Sequence, residues 1–438
     1  MLTGATAPTA TERVHAAYRR LALKERPEAW IHLREERDVL AEAAAVERRV
    51  DRGDELPLAG ATVAVKDNID VAGLPTTAAC PAFAYVPKRD AAAVARLQAA
   101  GAIVLGKTNL DQFATGLAGT RTPHGAVRDV HDPARVAGGS SSGSAVAVAL
   151  GIADVGLATD TAGSGRVPAA FQGIVGIKPT PGLVPTRGVV PASPSFDCVT
   201  VLTRDLTTCR TAMSVLTATP ESGGEPAGDA PRLAVARQDQ LAALSEGARA
   251  RLVTLQRRLS EDLGAESVTV DLEPFLEAGE LLYGGALVAE RYAAVGSFIE
   301  ANRAAVDPSV AEIVLAARSI SPAEQRRDRR RLKQLRAAAM SAIAGCDALL
   351  LPTAPFQPKI AEVARDPLGV VRRLGTYTTH CNVLRMCAVA LPAGDADGGH
   401  FGITLYAPAG EDERLARVAA KLVSRDLFGT PSVTGPSC

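Results

Sequence analysis

Residues 138–166 read GGSSSGSAVAVALGIADVGLATDTAGSGR, and this stretch predicts the fold. After a loop of glycine and serine, the small apolar residues SAVAVALG (144–151) predict a short, closely packed helix. VGLATDT (155–161) follows as a continuous apolar run, which is typical of a strand buried on both faces. The stretch therefore indicates an α/β sheet covered by helices on both of its faces.

The same alternation of elements precedes this stretch. Residues 61–69, ATVAVKDNI, are strand-like, and a helix is predicted from Asp90 to a glycine cap at Gly101. A second apolar run, AIVLGKTN, covers residues 102–109. A strand, a helix and a further strand in this order predict a parallel pair with a crossover connection.

Composition divides the chain into four regions. They are N-terminal helices at 1–55 with a break near Pro27, a first core part with the candidate chemistry at 56–217, a linker and helical insertion at 218–345, and a second core part at 346–438. The linker is the Pro/Gly-rich stretch 218–232, and four helices are predicted over 246–345. Strand-like segments at 346–353, 387–394 and 402–408 precede a helix from about Glu411.

Charge and hydropathy argue against several classes of partner. Lys and Arg number 48 and Asp and Glu number 48, so no global field attracts nucleic acid or an anionic membrane. The basic run at 324–336 has no interleaved aromatic residues and is interpreted as a solvated helix face. The longest apolar stretch, 145–158, is interrupted by Asp154 and predicts no membrane span. A small-molecule substrate is the expected partner.

The cysteines indicate a reducing compartment. They are odd in number, scattered and without a CxxC pair, which argues against a disulfide framework and a zinc site. The N-terminus lacks the apolar segment of a signal peptide. We therefore expect a cytoplasmic protein without a metal or other cofactor. The seven cysteines are Cys80, Cys198, Cys209, Cys346, Cys381, Cys387 and Cys438.

Three residues carry the candidate chemistry: Lys66 in VAVKDN, Ser140 in GGSSSGSA and Ser164 in TDTAGS. Each alone has an ordinary interpretation, as a surface lysine, a flexible or phosphate-binding loop and a common turn. No GxSxG elbow is present and no histidine is an obvious partner for a serine, so a hydrolase here needs another base. A buried lysine can serve, because desolvation lowers its pKa from about 10.4 toward neutrality.

The order and spacing of these three residues resemble the amidase signature family. The resemblance extends through GKTNLDQFATG (106–116) and IVGIKPTPG (174–182). It implies a central mixed, mostly parallel β-sheet covered by helices on both faces, with a helical insertion. It also implies that a neutral Lys66 takes a proton from Ser140, held by a cis peptide bond, and that Ser140 deprotonates the nucleophile Ser164.

The turn around Ser164 offers further groups. The backbone N–H groups of Thr161, Ala162, Gly163 and Ser164 can point at one spot and form an oxyanion hole. Asp160 and Arg166 flank the turn and are interpreted as a buried ion pair that fixes the loop. Neither of them is a candidate base.

Two departures from the usual family glycines, at Ala162 and Ser142, are similar to the members that hydrolyse allophanate, as is the segment at 67–85. That similarity implies hydrolysis of allophanate to ammonia and N-carboxycarbamate, which then loses carbon dioxide. It also implies that Tyr283 and Arg291, on a helix predicted over 281–295, bind the substrate carboxylate. From residue types alone, Tyr283 would be a core residue and Arg291 a solvated one.

The same similarity implies a functional link to a biotin-dependent urea carboxylase. Such members carry a further C-terminal domain, and the sequence up to Cys438 is expected to cover the amidase domain only. The oligomeric state stays open, with a homodimer among the options. Two alternatives also stay open: an amidase of the same family acting on aryl, acyl or malonamide-like amides, and a non-catalytic amidase-like protein with an assembly role.

Overall fold

The computed structural model describes residues 8–217 and 230–424. Within these ranges the chain forms eleven strands and fifteen α-helices. The strands are β1 (Trp30–Leu33), β2 (Thr62–Lys66), β3 (Ile103–Thr108), β4 (Val155–Asp160), β5 (Val175–Lys178), β6 (Cys198–Thr203), β7 (Arg232–Ala236), β8 (Glu266–Val270), β9 (Ala348–Pro352), β10 (Cys387–Ala396) and β11 (Gly399–Ala407). The helices are α1 (Ala10–Leu23), α2 (Glu36–Asp51), α3 (Ala92–Ala99), α4 (Ser142–Ala149), α5 (Arg166–Phe171), α6 (Leu206–Thr217), α7 (Glu246–Leu263), α8 (Glu273–Tyr283), α9 (Ala289–Ala301), α10 (Pro308–Ala316), α11 (Pro322–Ala342), α12 (Ile360–Arg365), α13 (Gly369–Leu374), α14 (His380–Val383) and α15 (Asp412–Ser424).

All eleven strands join one mixed sheet in the order β1-β3-β2-β4-β6-β5-β10-β11-β9-β7-β8. The mixed sheet confirms one part of the prediction, whereas the expectation that most pairs run parallel is wrong. In the described part of the chain four pairs are parallel: β2 with β3, β2 with β4, β7 with β8, and β7 with β9. The other six are antiparallel, because β1 at one edge and the strands in the middle of the sheet reverse direction.

The sheet separates two hydrophobic cores. In β2, Val63 and Val65 enter the larger core while Ala64 faces the other, as the alternation of side chains along a strand requires. The smaller core also receives Val14 of α1 and Val39 of α2. The two N-terminal helices therefore cover one face of the sheet, which agrees with the predicted N-terminal helical region.

Four strands were not predicted from the sequence: β1, β5, β6 and β8. The chain after Pro27 forms a short 3-10 turn and then β1, which pairs antiparallel with β3. Residues 266–270 form β8 at the far edge of the sheet. The expectation of four helices over 246–345 is also wrong, because five α-helices, α7 to α11, occupy that region.

The predicted linker at 218–232 falls mainly outside the described residues, which resume at Ala230.

The sequence also predicts that no segment spans a membrane. Among the described helices, none is long and apolar enough to cross a bilayer.

Candidate active site

The site lies where two parallel strands end side by side. β2 pairs with β4, so Lys66 at the end of β2 lies beside Thr159 near the end of β4. Ser140 reaches the same place from the loop that leads into α4. Ser164 follows β4 in the turn before α5. The carboxyl edge of these strands thus gathers the three predicted catalytic residues.

Lys66 is completely buried and fully hydrogen-bonded. Its Nζ donates to Ser140 Oγ at 2.7 Å and to Thr159 Oγ1 at 2.8 Å, with Thr159 O at 3.5 Å. Asn68 Nδ2 also donates to Thr159 Oγ1, at 3.2 Å. Thr159 was not assigned from the sequence, although it lies inside the quoted TDTAGS segment.

The surroundings of Lys66 favour its neutral form. Burial lowers the pKa of Lys66 to about 7, although the carboxylates of Asp111, Asp160 and Asp197 oppose the shift. The charge of Arg291 lowers this pKa further. Desolvation penalises an ammonium more than these anions compensate, so the amine can accept a proton near neutral pH.

Ser140 and Ser164 approach each other through their backbones. The Gly139–Ser140 peptide bond is cis, as the resemblance implies. The N–H of Ser141 donates to Ser164 O at 3.1 Å, and Ser164 Oγ lies 3.5 Å from Gly116 O. Among the described contacts there is no hydrogen bond between Ser140 Oγ and Ser164 Oγ. The structure therefore joins Lys66 to Ser140 directly and places Ser164 beside the loop that carries Ser140.

Two glycines allow this close approach. A Cβ at Gly139 would collide with the carboxylate of Asp111, and one at Gly163 would collide with Thr378 Oγ1. Gly163 also has φ of 122°, a left-handed conformation that favours glycine. A larger residue at Gly139 would push the loop of Ser140 away from Asp111, and one at Gly163 would push the turn of Ser164 away from Thr378.

The predicted oxyanion hole is only partly available. The N–H of Gly163 donates to Asp160 Oδ1 at 2.9 Å and is therefore engaged. Within the described part of the chain, the N–H groups of Thr161, Ala162 and Ser164 have no acceptor. These three buried donors lie next to the nucleophile and can bind a developing negative charge.

Asp160 and Arg166 form the buried ion pair expected from the sequence. Arg166 Nε and Nη2 each donate to the Asp160 carboxylate at 2.9 Å, and both side chains are inaccessible to solvent. Burial alone would raise the pKa of Asp160, but the charge of Arg166 and the surrounding hydrogen bonds lower it to about 2. Since Asp160 also accepts the N–H groups of Gly163 and Gly165, the pair fixes the turn that carries Ser164.

Tyr283 and Arg291 meet although they do not share one helix. The predicted helix over 281–295 is wrong, because α8 ends at Tyr283 and α9 begins at Ala289, after a turn at Gly284 and Gly285. Arg291 Nη2 nevertheless donates to Tyr283 Oη at 2.8 Å. The guanidinium also lies over the tyrosine ring, 4.9 Å from its centroid.

Arg291 is buried, not solvated, with 1% of its surface exposed. Its Nη1 donates to Thr115 Oγ1 at 2.9 Å, and its Nε has no acceptor. Among the described residues no carboxylate pairs with this guanidinium. Thr115 was not assigned from the sequence, although it lies in the quoted GKTNLDQFATG segment.

A cavity of about 680 Å³ borders these groups. Gly116 and Tyr283 are part of its wall, so it touches both the neighbour of the nucleophile and the partner of Arg291. No group of three or more His, Cys, Asp or Glu in the described ranges could hold a metal ion. Six of the cysteines are described, and all are buried free thiols.

Comparisons with known proteins agree with this geometry. The Amidase family model matches residues 12–416. Urea amidolyase of Lachancea kluyveri is 40% identical over 403 residues, which cover 89% of this chain and 22% of that protein. The chain thus spans about a fifth of the length of that relative.

Two further matches extend over a larger share of the length of the matched proteins. The A subunit of glutamyl-tRNA(Gln) amidotransferase from Symbiobacterium thermophilum is 35% identical over 424 residues, covering 87% of this chain and 86% of that protein. Among solved structures, allophanate hydrolase of Kluyveromyces lactis is 37% identical with a TM-score of 0.88, covering 95% of this chain and 70% of that one.

Proposed function

The chain belongs to the amidase family, and from this premise we propose that it hydrolyses allophanate, the N-carboxylated form of urea, to ammonia and N-carboxycarbamate. The observation that carries the proposal is the unpaired charge of Arg291. A buried cation is costly unless an anion compensates it, and among the described residues none does. The carboxylate of allophanate is an anion of the right size and geometry.

Two donors would share the recognition of that carboxylate. The planar guanidinium of Arg291 suits a carboxylate, and the Tyr283 hydroxyl that touches it can donate to the same group. The carboxylate of allophanate is bonded to a urea nitrogen, and that nitrogen alone separates it from the scissile carbonyl. Binding it at Arg291 would therefore present the terminal amide to a nearby nucleophile.

Acylation would proceed through the serine pair. Neutral Lys66 takes the proton of Ser140, Ser140 takes the proton of Ser164, and Ser164 Oγ attacks the terminal amide carbonyl. The free N–H groups of Thr161, Ala162 and Ser164 stabilise the oxyanion. Collapse of the tetrahedral intermediate breaks the C–N bond, and ammonia leaves with a proton returned through Ser140.

Deacylation would use water in place of the leaving amine. Water attacks the acyl group on Ser164 and releases N-carboxycarbamate, which loses carbon dioxide. An enzyme that carboxylates urea must supply the substrate, so a biotin-dependent urea carboxylase is the proposed functional partner. A homodimer and a cytoplasmic location are proposed on the sequence alone.

A second candidate is an amidase that acts on a neutral amide. Its support is the similarity to glutamyl-tRNA(Gln) amidotransferases, two of which are 35% and 33% identical to this chain over 424 and 420 residues. This candidate retains Lys66, Ser140 and Ser164 but needs no cation at position 291. A non-catalytic assembly role is the third candidate, and covalent labelling of the intact protein by a fluorophosphonate probe would exclude it.

Ammonia release from freshly prepared allophanate by the purified protein tests the proposal. We expect rapid release, its loss in Ser164→Ala, and little activity on acetamide or benzamide. Activity on the neutral amides alone would retain the catalytic residues and refute the substrate. No activity on any amide, together with no fluorophosphonate labelling, would favour the assembly role.

A further inference from the structure

The cavity beside the candidate site is larger than the proposed substrate requires. At about 30 Å³ for a water-sized group, allophanate occupies on the order of 200 Å³. The cavity measures about 680 Å³, which lies in the range of pockets that hold drug-sized ligands. More than half of it would stay empty around bound allophanate.

The cavity lies beside the groups that are proposed to bind the two ends of the substrate. Gly116 in its wall accepts from Ser164 Oγ, and Tyr283 in its wall accepts from Arg291 Nη2. On the proposed function, the scissile carbonyl would lie near Gly116 and the carboxylate near Tyr283. The atom between them would then face the cavity.

The walls divide into an aliphatic part and a charged opening. Glu280 and Arg372 form an ion pair whose side chains are 58% and 69% exposed, so they mark the side that opens to solvent. Glu312 in the cavity wall is exposed as well, whereas Arg121 lines the cavity as a buried cation. The aliphatic lining comes from α8, α10, α13 and the turn between α8 and α9. It includes Leu276, Val288, Ile313, Ala316 and Val371, and Leu117, Ile320 and Leu368 also line the cavity.

Resting on the proposed function, we propose that this cavity receives an aliphatic substituent on the atom between the scissile carbonyl and the carboxylate, so that 2-alkylmalonamates are substrates. Malonamate replaces the central nitrogen of allophanate with a carbon that can carry such a group. The reaction is otherwise unchanged. The Ser164 acyl ester forms as the C–N bond breaks, ammonia leaves, and water releases the 2-alkylmalonate.

A substrate series tests this placement. We expect the KM of malonamate to fall about threefold to fourfold for each methylene added at carbon 2, up to a butyl group, because each one leaves water. N-butylmalonamate, which carries the same group on the leaving nitrogen, should not gain. A KM that rises from the methyl compound onward, or a gain confined to N-butylmalonamate, would overturn the placement.

A substitution in the wall separates the cavity from the rest of the site. Ala316 is exposed and ends α10, so the fold should tolerate Ala316→Trp, which fills the cavity. We expect this variant to lower the ratio of kcat/KM for 2-butylmalonamate over malonamate at least tenfold, whereas Ala316→Ser keeps the ratio. An equal loss on both substrates would overturn the proposal, and the thermal midpoint reports whether the variant is folded.

Different substrate results would refute the cavity assignment and the proposed function. Turnover of malonamate without turnover of any 2-alkyl derivative would refute the cavity assignment alone. If malonamate and allophanate are both inert while a neutral amide is hydrolysed, the carboxylate site is wrong and the inference falls with it.

Discussion

Burial suits Lys66 to its proposed role as a base. A lysine in water is charged at neutral pH, and the removal of its amine from solvent lowers the pKa to about 7. The same site retains three carboxylates, which limit the shift and keep the amine basic enough to accept a proton from Ser140. The basicity of Lys66 is thus set by opposing effects of burial and charge.

The pH dependence of catalysis follows from that balance. As the pH falls through about 7, Lys66 gains a proton and kcat/KM should decrease about tenfold per pH unit. Above that pH the amine is neutral and the profile should level off. The measurement is kcat/KM for malonamate between about pH 5.5 and 9. A second substrate should give the same apparent pKa, and a profile that is flat throughout this range would contradict the role of Lys66.

Replacement of Arg291 should affect only substrates that carry a carboxylate. Loss of a buried cation that pairs with a substrate anion costs about 2–5 kcal/mol. We expect Arg291→Ala to lower kcat/KM for malonamate by about 10² to 10³. Steady-state ammonia release at about pH 9, where Lys66 stays neutral without the charge of Arg291, measures the effect, and the rate on acetamide should stay within about threefold.

A matched arginine provides the control for that experiment. Arg303 lies in the same helical region but is exposed, so Arg303→Ala should leave both substrates unaffected. An equal loss on malonamate and acetamide in Arg291→Ala would instead indicate a structural role for Arg291.

At the scale of elements, α11 holds the turn that places the proposed carboxylate site. Asp328 of α11 is buried, and its Oδ2 accepts the N–H of Ala286 at 2.7 Å. This turn connects Tyr283 at the end of α8 with Arg291 in α9. The helix that carries the basic run therefore has a buried face with a positioning contact.

Removal of that contact should weaken both folding and binding. Asp328→Ala leaves the N–H of Ala286 without its acceptor, at a cost of about 1–3 kcal/mol in the free energy of unfolding. We also expect a higher KM for malonamate, since the turn loosens. Urea denaturation and steady-state kinetics measure the two effects. Asp328→Asn keeps an acceptor and should lose less; equal losses in both variants would contradict the role of this hydrogen bond.

The elements that could be predicted from the sequence are those with strong local patterns. β2, β3 and β4 are continuous apolar runs buried on both faces. β1 and β8 have no such pattern, because both lie at the edges of the sheet and expose much of their surface. Their strand conformation depends on partners that are distant in the sequence, which local reading does not detect.

The residues of the candidate site also divide into those that a local pattern identifies and those that only the fold brings together. Lys66, Ser140 and Ser164 occupy recognisable segments and were predicted by number. Thr159 and Thr115 complete the hydrogen bonds of Lys66 and Arg291 across separations of 93 and 176 residues. Only the folded chain brings such pairs together, so residue type alone did not identify them.

At the scale of the whole molecule, each of the four predicted regions supplies strands to one sheet. The single tryptophan, Trp30, lies in β1 at one edge, whereas β9 belongs to the opposite half. Continuous hydrogen bonding from edge to edge favours one cooperative unit. The fluorescence of Trp30 should therefore report on a destabilising substitution in a distant strand.

This arrangement predicts a single unfolding transition. Leu350→Ala in β9, where the side chain is 1% exposed, should lower the free energy of unfolding by about 2–5 kcal/mol. The midpoint of Trp30 fluorescence in urea should fall together with that of far-UV circular dichroism. Leu183→Ala, at an exposed position, should move neither. A fluorescence midpoint that stays in place in Leu350→Ala would show that the two halves unfold separately.

The position of β10 and β11 also governs how the chain can fold as it is synthesised. This late hairpin lies between β5 and β9, so it joins the six strands on one side, β1 to β6, to the three on the other, β7 to β9. Until the ribosome has released residues 387–407, β5 and β9 each present an unpaired edge, and such edges recruit other chains. The middle of the sheet is therefore the last part to form during translation. Before it forms, the incomplete chain exposes two strand edges that a chaperone would need to shield.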